Sequence, residues 1–178
     1  MDDVLRQLTP EQALVILSRL YEKDGKIRQV VVEEARSVLD AVDLDETARE
    51  VFLVLDSISV EDLWDRSGAS RRGYTSPDEA AVDMFEKELE PFFDQVLRYH
   101  QLGMFPQEKI YCMGVLLGIY RFNQESKSEF RQWAVDVPAE CFGYLLNEWR
   151  KGCRSAALRT EMNEFVRNSC PKWAKYFL

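Results

Sequence analysis

Ile110-Tyr-Cys-Met-Gly-Val-Leu-Leu-Gly-Ile-Tyr120 carries no charge and no strongly polar group on any helical face. A helix that is apolar all round is a helix buried on every side. Pro106 suits a first helical position, Gln107, Glu108 and Lys109 lead in, and Asn123 and Gln124 close the run. The segment from Pro106 to Asn123 is therefore expected to be the central core helix of a helical domain. It is too short to cross a bilayer, which takes about 20 apolar residues. Gly114 and Gly118 stand four apart and share one face. Each costs a helix interior about 1 kcal/mol relative to Ala. A strip kept that smooth predicts the backbone of a neighbouring helix in close approach.

Working outward, the punctuation stays helical. Thr9-Pro10-Glu11-Gln12 has a cap, a first-turn proline and a residue able to reach back to the cap amide. Leu14, Leu17, Leu20 and Tyr21 then form one stripe, which Asp24-Gly25 ends. A second helix is expected from Lys26 to Val42. Its three consecutive valines (Val30 to Val32) fit a strand in isolation, but Ile27, Val30, Val31, Ala35, Val38, Leu39 and Val42 repeat near 3.6. A third runs from Asp45 to Ile58, capped by Asp43 or Asp45. Short polar turns between these helices imply antiparallel neighbours.

Ser59-Val60-Glu61-Asp62 opens a short helix to about Asp65, and Ser76-Pro77-Asp78-Glu79 opens a long one. In the long helix the apolar phase continues across Pro91 to Leu102, so a single kinked helix is expected there. Beyond the central helix, Ser128 to Val135 reads as a short segment with Phe130 and Trp133 inward. Asp136 is expected to cap a helix ending near Gly152, and another spans Ser155 to Asn168. The aromatic tail after Pro171, Lys-Trp-Ala-Lys-Tyr-Phe-Leu178, is expected to dock against the body.

At 178 residues the default is one domain covering the whole chain. The net charge of -8 disfavours direct nucleic-acid binding. Residues 1–102 hold 23 acids and 12 bases, and residues 103–178 hold 8 acids and 11 bases. Cys112, Cys141, Cys153 and Cys170 lack the close spacing of zinc or redox motifs and read as reduced thiols. No signal peptide is visible at Met1-Asp-Asp-Val-Leu-Arg6, so a cytoplasmic protein without membrane attachment is expected.

Chemistry has few candidates. From Arg66 to Thr75 lies the longest irregular stretch, with two glycines, two serines and three arginines. Trp64, Asp65, Arg66, Arg71, Arg72 and Tyr74 mix charge and aromatics there, just before a helix N-terminus at Ser76. Arginines beside a helix N-terminus suit carboxylate or phosphate, which makes this a candidate anion- or partner-binding loop. The competing reading is a structured connector in which Asp62 and Asp65 pair with the arginines and Trp64 packs. Of Arg66, Arg71 and Arg72, the first is expected to be structural and the other two available to a partner. No Gly-x-x-x-x-Gly-Lys phosphate cradle is present.

His100 is the only histidine. It sits near a helix end, where a dipole partner is the ordinary role, and nothing in the spacing favours a dyad with Cys112 or Cys141. The acid pairs Glu33-Glu34 and Asp78-Glu79, and the series Glu86, Glu88 and Glu90, read as solvated faces. Arg150, Lys151, Arg154 and Arg159 read as complements to helix C-termini and to the acidic half. No catalytic residue, cofactor site or metal ligand set is therefore assigned.

The run Val60-Glu-Asp-Leu-Trp-Asp-Arg-Ser-Gly68, with Arg72-Gly-Tyr74, Pro77 and Ala80-Ala81, resembles a helical region of prokaryotic SWIM zinc-finger proteins. Gly114-Val-Leu-Leu-Gly-Ile-Tyr-Arg121 is similar to the same region, and the resemblance covers about residues 50–150. The zinc-binding Cys-x-Cys and Cys-x-His element is missing from these 178 residues. The resemblance implies an all-helical accessory module working beside a partner.

The expectation is thus an all-α antiparallel array, or solenoid-like bundle, of about seven to nine helices around the central one. The expected function is non-enzymatic protein–protein interaction. The alternatives are a small-ligand or anion binder or enzyme using the Arg66 to Tyr74 loop, and a nucleic-acid accessory protein.

Overall fold

A computed structural model describes residues 3–70 and 73–178. The protein is all-α, with ten α-helices and one two-stranded hairpin among the described residues. It divides into two compact units, Met1–Ala41 and Val42–Leu178.

The first unit holds a one-turn helix α1 (Asp3–Arg6), then α2 (Pro10–Lys23) and α3 (Gly25–Asp40). Thr9 caps α2 as expected: its hydroxyl accepts from the Gln12 amide, and the Gln12 side chain accepts from the Thr9 amide at 3.0 Å. Asp24 ends α2 and begins α3, its carboxylate accepting from the Lys26 amide. Packed as a pair, α2 and α3 half-bury Leu20, Ile27, Val31 and Leu39 along their seam. No residue of either helix is fully buried. Leu14, Leu17 and Tyr21 stay exposed on one face of α2, and Val30 and Val38 on α3.

The second unit runs α4 (Leu44–Asp56), α5 (Val60–Arg66), β1 (Gly68–Ser70), β2 (Gly73–Thr75) and α6 (Pro77–Gln101). It continues with α7 (Phe105–Glu125), a 3-10 turn (Glu129–Gln132), α8 (Val137–Gly152), α9 (Ala156–Ser169) and α10 (Pro171–Phe177). The central helix is α7, and α4, α6, α8 and α9 pack around it. Cys112 through Tyr120 of α7 are all buried, as a helix apolar on all sides requires.

The closest approach is with α4. A β-carbon added to Gly114 would lie 2.6 Å from Thr47 Cβ and 2.9 Å from the Leu44 carbonyl oxygen. One added to Gly118 would lie 2.6 Å from Val51 Cβ and 2.7 Å from the Ala48 carbonyl oxygen. The expected visitor at the glycine strip is therefore the backbone of α4. Asp43 caps α4 through the Glu46 amide, and Arg121 on α7 pairs with Asp45 at 3.2 Å, beside the same crossing.

Three features differ from the sequence reading. Ten helices stand where about seven to nine were expected. One of the additional helices is α10: the aromatic tail docks against the body as expected, and does so as a helix. Its Trp173 is buried among Tyr120, Phe142 and Phe177. The stretch after Arg66 is not wholly irregular: Gly68 pairs with Thr75 and Ala69 with Tyr74 in an antiparallel hairpin. Gly68 and Gly73 adopt φ of 104° and 133°, a region that glycine alone enters freely. Asp136 makes no side-chain cap on α8, whose first turn is started by Pro138 instead. As the sequence suggested, Pro91 is carried inside a single helix, α6.

Candidate functional site

The expected loop is the first place to look. Trp64 packs edge-on against Trp133 at 5.0 Å between ring centres, while half of its surface remains exposed. Asp65 and Arg66 are exposed on the last turn of α5, and Tyr74 is exposed on β2. Among the described residues Arg66 has no carboxylate within ion-pair distance, so the expected pairing with Asp62 or Asp65 is not formed. Arg71 and Arg72 lie outside the described residues. None of the clefts described below is lined by Trp64, Asp65, Arg66 or Tyr74.

The basic stretch is largely engaged within the fold. Arg150 donates to the Phe177 carbonyl at 2.8 Å and to Asn163 Oδ1 at 2.7 Å, tying α8 to α10 and α9. Arg159 donates to the Cys153 carbonyl at the end of α8, and Lys151 pairs with Glu148. These guanidinium groups act on helix C-termini, as the sequence suggested. Arg154 alone of the four is exposed with no such bond.

His100 does meet an acid, but not through a spacing that the sequence flagged. It ends α6, and Glu108 lies in the first turn of α7, so the tight turn at Gly103 (φ 69°) folds one onto the other. Nδ1 lies 3.1 and 3.2 Å from the two carboxylate oxygens. Glu108 is 4% exposed, the one ionisable acid or base that is buried among the described residues apart from thiols and phenols. Burial pushes its carboxyl up from the ordinary value, and the hydrogen bond and charge of His100 pull it part of the way back. Cys112 is wholly buried one turn further along α7, and burial raises its thiol far above the range of a reactive cysteine. Burial also pushes Cys141 up to about 12. A Cys–His nucleophilic pair therefore has no support, and among the described residues no three His, Cys, Asp or Glu converge on a metal position.

Glu108 supplies a first testable consequence. A buried carboxyl with a raised pKa binds its proton more tightly in the folded chain than in the unfolded one. Its contribution is thus fully present below the unfolded value of about 4.5 and is lost as pH rises through the higher folded value. Glu108→Gln should melt above wild type at pH 7, each kcal/mol shifting Tm by about 2–4 °C in a chain of this size. The advantage should vanish toward pH 4. A variant that melts below wild type at pH 7 would mean that His100 holds the ionised carboxylate favourably.

A run of adjoining clefts forms a trough between α6 and α8. The two helices run in the same direction, with α7 returning between them. Phe93 stacks on Tyr144 at 6.1 Å, and a β-carbon on Gly152 would touch His100 at 3.0 Å. Near the start of α6 it forms a cleft of about 600 Å³ lined by Asp83, Glu86, Glu90, Glu140 and Tyr144. Sharing Phe93, Asp94 and Tyr144, a second cleft continues it past Leu97 to His100. A third, of about 760 Å³, carries on past Phe105, Trp149 and Arg154.

No family model, curated protein or solved structure matches this chain. Among the described residues no helix is long and apolar enough to cross a membrane.

Proposed function

We propose that this protein is a non-enzymatic helical interaction module, an accessory component that works bound to another protein. The observation supporting this most directly is the α2–α3 hairpin. Its helices have 14 and 16 residues, a length at which an isolated helix is marginal in water. Both are amphipathic, yet neither buries a single residue completely. Helices of that kind gain their stability from packing an apolar face against something. Leu14, Leu17, Tyr21, Val30 and Val38 offer such a face to a partner. The resemblance to the helical region of SWIM zinc-finger proteins points the same way.

Placing charge on the apolar face of the hairpin tests the reading. A tagged chain carrying Leu17→Glu and Val38→Glu, expressed in the native host, should recover at least about tenfold less of a partner that wild type retains. Both residues are exposed, so helical content should be unchanged, as exposed substitutions usually move stability by less than about 0.5 kcal/mol. Equal recovery by both chains, or a wild-type chain that retains no protein, would remove the proposal.

A further inference from the structure

We infer that the α6–α8 trough is a docking groove for a basic, amphipathic helix of a partner protein. The inference rests on the reading as an interaction module but concerns a different surface, and it names the chemistry of the partner.

The floor of the groove is apolar and open. Phe93 and Tyr144 stack across it, Leu97 lies one turn beyond Phe93, and Trp149 and Phe105 follow. Tyr144 and Leu97 are 60% and 52% exposed, large apolar surfaces that stand side by side rather than scattered. The distance along α6 from Asp83 to His100 is about 26 Å at 1.5 Å per residue, close to five helical turns of a bound helix.

The rim selects the sign of the occupant. Asp83, Glu86, Glu90 and Asp94 are spaced three, four and four apart and so share one face of α6. Glu140 and Glu148 face them from α8. The cations along this lining are Lys87, Lys151 and, at the far end beyond His100, Arg154; Lys151 is held by Glu148, so the acidic rim is the stretch from Asp83 to Asp94 and Glu140. Asp83, Glu86, Glu90, Asp94 and Glu140 make no ion pair among the described residues. Two helices laid side by side with like charge along both rims repel each other. A cationic partner relieves that repulsion and is steered to the groove by it. The carboxylates do not converge on a point, so a single metal ion does not satisfy them. A helix with Lys or Arg along its flanks and Leu or aromatic residues along one stripe does, in the manner of helix-in-groove recognition.

The test is a titration of the intact chain with labelled 18-residue peptides built only of Leu and Lys, followed by fluorescence anisotropy. One peptide places Leu at helical period, a second has the same composition scrambled, and spermine is added as a competitor. The periodic peptide should bind at least about tenfold more tightly than the scrambled one. Glu86→Gln with Glu90→Gln should weaken it by a similar factor, and Leu97→Asp should do so while leaving helicity and melting unchanged. Equal binding of the two peptides, displacement by equimolar spermine, or wild-type affinity in the groove variants would overturn the inference. Because Leu17 and Val38 lie outside the groove, the hairpin experiment and this one fail independently.

Discussion

Gly118→Leu should be among the most damaging single substitutions in this chain, lowering stability by about 3 kcal/mol, the upper end for overpacked cores. Even Gly118→Ala should be costly. The added carbon would lie 2.6 Å from Val51 Cβ and 2.7 Å from the Ala48 carbonyl oxygen. Neither atom is the free end of a flexible side chain, so α4 has to move as a body. At Gly143 the geometry is as tight but the neighbour differs: the added carbon meets the Phe177 ring edge at 2.5 Å. A ring on a terminal helix can swing away, so Gly143→Ala should cost less than Gly118→Ala. Gly25→Ala serves as the control, since nothing lies within 4 Å of the added carbon and its backbone is helical. Chemical denaturation of the four variants measures the order. A Gly118→Leu midpoint equal to wild type would mean that the α4–α7 crossing is loose.

The second large effect belongs to the last helix. Trp173→Ala should cost about 3–5 kcal/mol, the range for truncating a large buried aromatic side chain. Trp173 is 7% exposed and touches Tyr120 of α7 and Phe142 of α8, each at about 5 Å between ring centres. Phe177 closes the same cluster, and its carbonyl receives Arg150. Removing the indole therefore loosens the N-terminal end of α10 and leaves the helix held mainly through Phe177 and Arg150. Tyr176→Ala, at a position 70% exposed on the same helix, should change melting little. Similar losses from the two substitutions would show that α10 contributes only general coverage.

Much of this architecture was legible because local and global signals agree. Thr9, Ser59 and Ser76 each cap the helix that the sequence assigned to them, and Asp43 is the one of the two caps offered for α4 that does so. The two glycines in an otherwise bulky apolar run announced a close backbone contact, and the fold supplies one. What stayed hidden has physical causes. The β-hairpin is three residues a side, too short for alternation to register against the glycines that flank it. Trp173 and Phe177 show an apolar tail, but their seven-residue helix is too short for a periodic signal and is held by packing alone. His100 and Glu108 are eight apart across a turn, a separation that means nothing until Gly103 bends the chain back. The trough was illegible for another reason. Glu86 and Glu90 read as a solvated face along α6, and only the parallel placement of α8 brings Glu140 and Tyr144 opposite them.

The burial of Cys112, Cys141, Cys153 and Cys170 has a consequence of its own. They are distributed over α7, the two ends of α8 and the junction of α9 with α10. Burial also holds the Cys170 thiol up at about 12, with Arg121 opposing that shift, so in the closed fold it offers scarcely any thiolate at neutral pH. A water-soluble thiol reagent is thus idle until a helix lifts, and each adduct then dates the lifting of one part of the bundle. The chain carries four internal clocks, and the sequence in which they are struck is the order in which its helices come apart.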